Sequence, residues 1–530
     1  MKQILHIFAK DTRHLWLEIL ISVGLTAALV ATSPHFWSQG ATSYSPAGMW
    51  GHFSVSDTWL PGLLVVLIPL SWWILVSPLI HEERLVGDRQ FWITRPYEWK
   101  RLLAAKMLFI VAFLYSPLFL AQCLVVARVG FNPLSYLPGL LYDSFLITSL
   151  VILPLVALAT VTRNFARMTL AILGVGVSIL AMAGLTSIFP GTEIASPFLD
   201  SLTLFLVICG CIAVILLQYA ARRTASSWVV LALTQGLVAA LACAAPDQAL
   251  MGRRYLAEQA PGVALATDNE AGGGAIVSVA RGPHDVVINV PMRVSGIAPG
   301  SMMISEALRV TLEAPDGTRW TSLWQPIYDR FLADKLLPGE RIARAAFTMP
   351  RSVYEKLKPM PLRARITLAF VRARQGETTT VSLPLDDFQV PGFGICTPQT
   401  GFFYKPYEIG GIVCRAALRQ PSLTFVRVNW SYDDCHAPSQ ERRNIDGEAW
   451  VGSLNRTPSE FAIAPVWSNA IAFTNQEPGY HVNEPRHICP GTPATFTSYQ
   501  AAGRMQAAFD ISGLLLPELS RGQIRVMATP

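Results

Sequence analysis

Seven long apolar runs crowd the first 245 residues, and none of comparable length follows Pro246. A helix needs roughly 20 apolar residues to cross the hydrocarbon of a bilayer. The runs fall at 15–32, 59–80, 107–127, 144–161, 169–189, 202–220 and 228–245. The third and fourth are joined by GFNPLSYLPGLLYD, itself fairly apolar, which reads as a short interfacial or re-entrant piece. Composition agrees: 52% of the 530 residues are hydrophobic and 15% charged, where a soluble chain carries about a quarter charged. The expected architecture is a polytopic α-helical membrane domain over 1–246, a six-span core plus a seventh span. A linker over 247–283 follows, then a β-rich, sandwich-like extracytoplasmic domain over 284–530, either one unit or two subdomains split near 395.

The cations set the expected orientation. Lys2, Lys10 and Arg13 precede the first run. Arg84, Arg89, Arg95, Lys100, Arg101 and Lys106 lie between the second and third. Arg163 and Arg167 separate the fourth from the fifth, and Arg222 and Arg223 the sixth from the seventh. If the spans alternate, all of these share one side. The opposite loops hold only Arg128, at a span edge, with Asp57, Asp143, Glu193 and Asp200. Cytoplasmic loops carry the excess of Lys and Arg, so the N-terminus is expected in the cytoplasm and everything after about Ala245 outside.

Cysteine usage points the same way. Cys123, Cys209, Cys211 and Cys243 lie within spans, where a thiol is a small apolar group. Cys396, Cys414, Cys435 and Cys489 lie in the soluble half. Four cysteines there suggest two disulfides and an oxidising compartment. Three pairings are possible; Cys396–Cys414 with Cys435–Cys489 is the preferred one, and four free thiols are the alternative. No pair has the close C-x-x-C spacing of a zinc site.

MKQILHIFAKDTRHLW has charge scattered among Ile4, Leu5, Phe8 and Leu15. It reads as an amphipathic helix at the cytoplasmic surface rather than a cleavable signal. The densest basic cluster, HEERLVGDRQFWITRPYEWKRLLAAKML at 81–108, lies between the second and third spans. Glu82, Glu83 and Arg84 end the second span, and Gly87 with Asp88 makes a turn. Pro96 suits the first turn of a helix, where Glu98 meets the positive end of its dipole. Phe91, Trp92, Tyr97 and Trp99 have the amphipathic rings of interfacial depth. Read alone, this is a basic loop that sets topology.

This segment also resembles the coupling helix in permease subunits of type-2 ABC exporters: E-x-x-x-G, an apolar pair, a proline, basic residues and a lysine opening the third span. The matching residues are Glu83, Gly87, Phe91, Trp92, Pro96, Lys100, Arg101 and Lys106. The helix before the first span is similar to that family's interfacial helix. The resemblance covers residues 1 to about 223. It implies that the segment docks on a separate cytoplasmic ATPase, which would bind ATP and Mg, and that a second permease subunit completes the pathway. It departs from the pattern at Arg95 and at Tyr97-Glu98-Trp99, and by adding a seventh span and a large outer domain.

No G-x-x-x-x-G-K-[ST] occurs, so the chain has no P-loop of its own. His81-Glu82-Glu83 lacks the H-E-x-x-H spacing of a zinc site. The spans carry few ionisable groups: Glu18 lies near the start of the first, and Gln122, Gln218 and Gln235 read as interhelical hydrogen-bond partners. Clear mid-membrane carboxylates or histidines, the mark of proton-driven transport, are not evident.

The second half reads as strands. Val286, Ile288, Val290, Met292 and Val294 alternate; Leu308, Val310 and Leu312 share a face before a turn at Pro315-Asp316-Gly317; ARITLAFVRARQGETTTVSLPL suggests a hairpin about Gln375-Gly376. A short helix is expected at 350–358, and further strands at 423–430 and 522–529. His284, His436, His481 and His487 are scattered, and Asp433-Asp434-Cys435-His436 is the densest polar cluster. GFFYKPYE and VNWSYDD are aromatic-rich and read as core by default. No catalytic set is visible, so the chain is expected not to be an enzyme. The expected setting is a Gram-negative inner membrane, with the lipid bilayer, the ATPase, a second permease and another envelope protein as partners, and no nucleic acid. The alternative is a membrane-anchored binding or sensory protein whose outer domain is the working part.

Overall fold

The computed structural model describes residues 2–39, 55–83, 98–186, 197–244, 264–267, 276–279, 285–326, 330–332, 343–390, 394–399, 411–417, 424–432, 445–451, 463, 465–472 and 490–516. Its N-terminal half is helical and its C-terminal half β-rich. Helix α1 (Lys2–His14) is followed by α2 (Trp16–Gln39) at a 77° bend. Then come α3 (Val55–His81), α4 (Trp99–Ile110), α5 (Ser116–Arg128), α6 (Leu137–Ile147), α7 (Leu153–Val161), α8 (Phe165–Thr186), α9 (Pro197–Leu216) and α10 (Thr224–Ala244). Among the described residues, six helical stretches are long and apolar enough to cross a membrane, and seven if α1 and α2 count as one bent span.

Three of these helices change pitch. Wider π turns occupy Val111–Tyr115, Thr148–Ile152 and Leu217–Ala221. Pro117 and Pro154 lie just beyond the first two. Proline has no N–H to donate and crowds the carbonyl four residues back. An added residue in the preceding turn relieves both, and the Ser116 hydroxyl donates to the Val111 carbonyl at 2.9 Å. The third π turn ends at Arg222 in the left-handed conformation (φ 52°), which turns the chain into α10.

Helix α3 is the centre of the helical half. Ile68, Trp72, Leu75, Val76 and Leu79 recur at helical spacing and are buried. They pack with Phe109, Leu114, Leu118, Val156, Val214 and Tyr219. Where α9 crosses α10, a Cβ on Gly210 would come within 2.3 Å of the Thr234 hydroxyl, so this approach requires glycine. The apolar link 130–143 is not a re-entrant piece. Residues 130–136 form a tight turn, and α6 begins at Leu137, because LPGLLYD continues the helical apolar pattern behind Pro138 at the helix start.

The β-half is built on one long ladder. Strand β9 (Leu362–Ser382) runs antiparallel to β16 (Pro493–Leu514). Around it an eight-stranded sheet takes the order β14-β13-β16-β9-β4-β5, with β6 and β7 also on β4. Its strands are β4 (Ser301–Glu313), β5 (Arg319–Thr321), β6 (Gln325–Pro326), β7 (Arg330–Leu332), β13 (Thr424–Tyr432) and β14 (Ile445–Val451). Two four-stranded sheets accompany it. One places β1 (Ala264–Thr267) and β2 (Ile276–Val279) along one edge of β3 (Asp285–Ser295), and β8 (Ala343–Pro350) along the other. The other has the order β10-β11-β12-β15, from β10 (Phe388–Val390), β11 (Gly394–Gln399), β12 (Gly411–Ala417) and β15 (Val466–Ala472).

The alternation read from sequence holds on β3 and β4: Val286, Ile288, Val290, Met292, Leu308, Val310 and Leu312 are buried and pack with Phe347, Ile366 and Phe370. Each such side chain contributes roughly 1.5–3 kcal/mol by leaving water. Pro291 falls between the stretches paired to β1 and to β2, where no strand on that edge requires its missing N–H. A second core joins Val390, Cys396, Ile412 and Cys414 to Val428, Trp430 and Phe496. The turn at Pro315-Asp316-Gly317 is present, with Gly317 at φ 83°, as is the short helix α11 (Arg351–Leu357).

Three expectations are corrected. The linker over 247–283 contributes strands β1 and β2 to the first small sheet. No division falls near 395, because β13 and β16 lie beyond it yet share a sheet with β9. The hairpin about Gln375-Gly376 is instead an uninterrupted strand. Gly376 and Glu377 oppose Ser498 alone, a bulge in the ladder, and a Cβ on Gly376 would meet the Ser498 hydroxyl at 2.7 Å. That glycine marks a close strand approach and not a reversal. The strand expected at 522–529 and the aromatic stretch at 401–408 lie outside the described residues.

Candidate functional site at one end of the helices

The buried stripe of α1 carries Ile4, Ile7, Phe8 and Asp11 at spacings of three and four, so it presents a carboxylate with its apolar face. Phe8 stacks on Phe113 at 5.7 Å between centroids and meets Phe109 edge-on at 6.3 Å. This contact presses Asp11 onto α4. There the Lys106 Nζ donates to Asp11 Oδ2 at 2.8 Å and to Glu83 Oε1 at 3.1 Å. Lys106 and Asp11 side chains are each 1% exposed and that of Glu83 is 4%.

Tyr219, in the π turn after α9, packs into the same core and lies within electrostatic range of both carboxylates. Its hydroxyl and Asp11 Oδ1 are buried without a hydrogen-bond partner among the described residues. A carboxylate withdrawn from water disfavours its charged form. Burial accordingly pushes the Asp11 carboxyl above its ordinary value, with Lys106 opposing.

Around this buried cluster lies a second, half-exposed tier. Glu82 accepts from Lys10 at 3.4 Å and meets His14 Nε2 at 2.7 Å. Arg101 donates to Gln3 Oε1 at 3.0 Å and pairs with Glu98 at 3.1 Å. Helix α1 is thus fastened on one flank to the end of α3 and on the other to the start of α4. These are the two flanks of 84–97. Such exposed pairs contribute up to about 1 kcal/mol each; breaking a buried pair costs about 3–5 kcal/mol.

The residues singled out in the sequence separate into groups. Glu83 and Lys106 turn inward and meet each other. Lys100 and Arg101 stay near the surface, with the Lys100 Nζ 5.7 Å from the Trp99 ring centre. Gly87, Phe91, Trp92 and Pro96 lie outside the described residues. Glu98 is the N-cap of α4 and not part of its first turn. His81-Glu82-Glu83 does not converge: His81 faces Ser77 at 3.0 Å and Thr162 at 3.1 Å, while Glu82 and Glu83 have the partners given above.

The opposite end of the bundle meets the β-half. Val30, Val125, Val129, Phe131, Tyr136 and Leu140 form one cluster with Ala417 and Val466. Deeper, Gln122 Nε2 donates to the Ile463 carbonyl at 3.2 Å, and Ile463 packs into the core of the helices. Gln235 Nε2 donates to the Ser178 hydroxyl at 3.0 Å, joining α10 to α8. Asp143, expected in an outer loop, is instead buried in α6, beside the Ser144 that faces Gln122.

Among the described residues one disulfide is present, Cys396–Cys414, between directly opposed residues of β11 and β12. Cys123, Cys209, Cys211 and Cys243 are free thiols. Cys435, Cys489, His284, His436, His481 and His487 lie outside the described residues. Among the described residues no three His, Cys, Asp or Glu side chains converge as metal ligands.

No protein-family model matches the chain, and no curated protein does. Among solved structures, a Bacillus thuringiensis Cry1Da tryptic core variant aligns at 13% identity, over 93% of this chain and 98% of that one, with a TM-score of 0.13. A score of that size carries no argument about fold or function.

Proposed function

We propose that the chain is the membrane permease subunit of an ATP-driven exporter of the ABC type, coupled to a separate cytoplasmic ATPase through residues 84–106. One observation carries the reading: Lys106 joins Glu83 and Asp11 in a single buried cluster. The base of the 84–97 segment is closed by an ion pair, and α1 is fastened across it. A push on that segment would therefore move α1, α3 and α4 together. Lys100 and Arg101 supply cations near the surface for an acidic partner. ATP and Mg would be bound by the ATPase, and this chain would hydrolyse nothing.

The apolar helices support insertion in a plasma membrane. The positive loops support a cytoplasmic N-terminus, and the Cys396–Cys414 bridge supports an oxidising compartment for the β-half, as in a periplasm. Helix α8 buries only 6% of its most apolar stretch, against 61% for α6 with α7. That bare face offers a seat for the second permease subunit in the bilayer.

A second reading, an outer binding or sensory domain on a membrane anchor, draws on the Gln122–Ile463 contact. Through that contact, ligand binding outside would reach the helices.

The test is affinity purification from native membranes with mass spectrometry. The exporter reading expects a P-loop ATPase to co-purify, and Lys100→Glu with Arg101→Glu to release it without loss of the permease. No ATPase, under conditions that hold known transporters together, would transfer the function to the outer domain.

A further inference from the structure

Two neighbouring turns at the end of the helices that holds the buried cluster carry four arginines. The turn from α7 to α8 brings Arg163 and, one helical turn on, Arg167. Thr162 in that turn meets His81, near the end of α3, at 3.1 Å. The turn from α9 to α10 brings Arg222 and Arg223, and Tyr219 just before it lies within electrostatic range of Asp11 and Glu83. Both turns therefore stand at the same end. Farther in, Gln235 donates to Ser178 and joins α10 to α8. Ser178 lies roughly 20 Å along α8 and Gln235 roughly 16 Å along α10, at 1.5 Å per residue. The two helices thus begin at nearly the same depth.

These arginines have no acidic neighbour in sequence: no Asp or Glu occurs between Asp143 and Glu193, or between Asp200 and Asp247. The acids of the buried cluster and its outer tier are engaged elsewhere, Glu82 with Lys10 and His14, Glu98 with Arg101, and Asp11 and Glu83 with Lys106. Arg163, Arg167 and Arg223 are exposed and form no ion pair among the described residues. Beneath them the surface is apolar. Helix α10 buries only 6% of its most apolar stretch, and Val229, Leu233 and Leu237 follow one another down its exposed side. A phospholipid complements both surfaces, with a phosphate at interfacial depth and acyl chains below it. Anionic headgroups attract cations at the membrane surface and bind in basic recesses between helices. A guanidinium binds phosphate through two parallel hydrogen bonds.

We propose that the α7–α8 and α9–α10 turns form a binding site for one anionic phospholipid: its headgroup phosphate lies between Arg163, Arg167 and Arg223, and an acyl chain follows Val229, Leu233 and Leu237 down α10. The inference rests on the helices lying in a bilayer and not on the docking of an ATPase.

The test is native mass spectrometry of the full-length protein from detergent micelles holding equal amounts of phosphatidylglycerol, which is anionic, and phosphatidylcholine, which is not. The wild type should retain one phosphatidylglycerol per chain in preference to phosphatidylcholine. Each arginine removed should weaken that retention about fivefold. Arg163→Gln with Arg223→Gln should therefore erase the preference. Lys2→Gln with Arg13→Gln, an equal loss of charge at the same end, should keep it. Equal losses in the two double variants would show a diffuse surface charge and overturn the site. Inorganic phosphate that raised the wild-type melting temperature as much as phosphatidylglycerol would show a free-anion site and overturn the lipid. Equal retention of both lipids by the wild type would also overturn the proposal and leave the membrane reading standing, whereas retention of neither would count against both.

Discussion

The two ends of the helical half hold distant parts of the chain together by different physics. At one end an ammonium and two carboxylates are sealed under α1. At the other, a neutral amide donates to a backbone carbonyl, Gln122 to Ile463, among aliphatic side chains. Charges in a dry site are bound firmly while paired and are costly once parted. A neutral hydrogen bond contributes about 1 kcal/mol net. The ionic end therefore suits a joint that moves as a unit, and the neutral end suits one that opens and closes at small cost.

The largest expected effect comes from Lys106→Met. It leaves carboxylates buried around an apolar chain, and should lower the stability of the helical half by about 3–5 kcal/mol, read as a lowered melting temperature in detergent. A wild-type melting curve would mean the cluster is not sealed, and the contrast between the ends would fail. A smaller effect is expected at the other end. Gln122→Ala removes a donor and leaves the Ile463 carbonyl buried without it, a loss of about 1–3 kcal/mol. Hydrogen exchange should rise over β15 while the Asp11–Lys106 end stays protected. Equal deprotection at both ends would show the two joints to be one cooperative unit.

Much of this was legible in the sequence, for reasons that particular residues make plain. The long apolar runs before Pro246 are helical over nearly all of their described residues, because their apolar character is nearly continuous. Strands β3 and β4 were legible from strict alternation. Asp11 carried a signal that passed unused: it falls on the stripe of Ile4, Ile7, Phe8 and Leu15, where a solvated carboxylate would not. Lys106 likewise sits inside LLAAKMLF, with apolar neighbours on both sides. What no spacing conveys is that residues 95 apart in sequence would meet. Gly376 misled because a glycine at a bulge and one at a turn look alike in a single sequence. Asp143 misled because a carboxylate just before an apolar run reads as loop, whereas it lies buried inside a helix.

The central claim is that α1 is fastened across the base of the 84–97 segment. Cysteine pairs in native membranes test it most directly. Gln3→Cys with Arg101→Cys stands where the tips of two long side chains meet at 3.0 Å, so a bifunctional thiol reagent about as long as the two lost side chains should bridge the pair, where a direct disulfide would need closer backbones. Gln3→Cys with Arg128→Cys, at opposite ends of the bundle, should not. Failure of the first pair to cross-link, with both cysteines still reactive, would mean that α1 does not lie on α4, and the coupling account would fall with it.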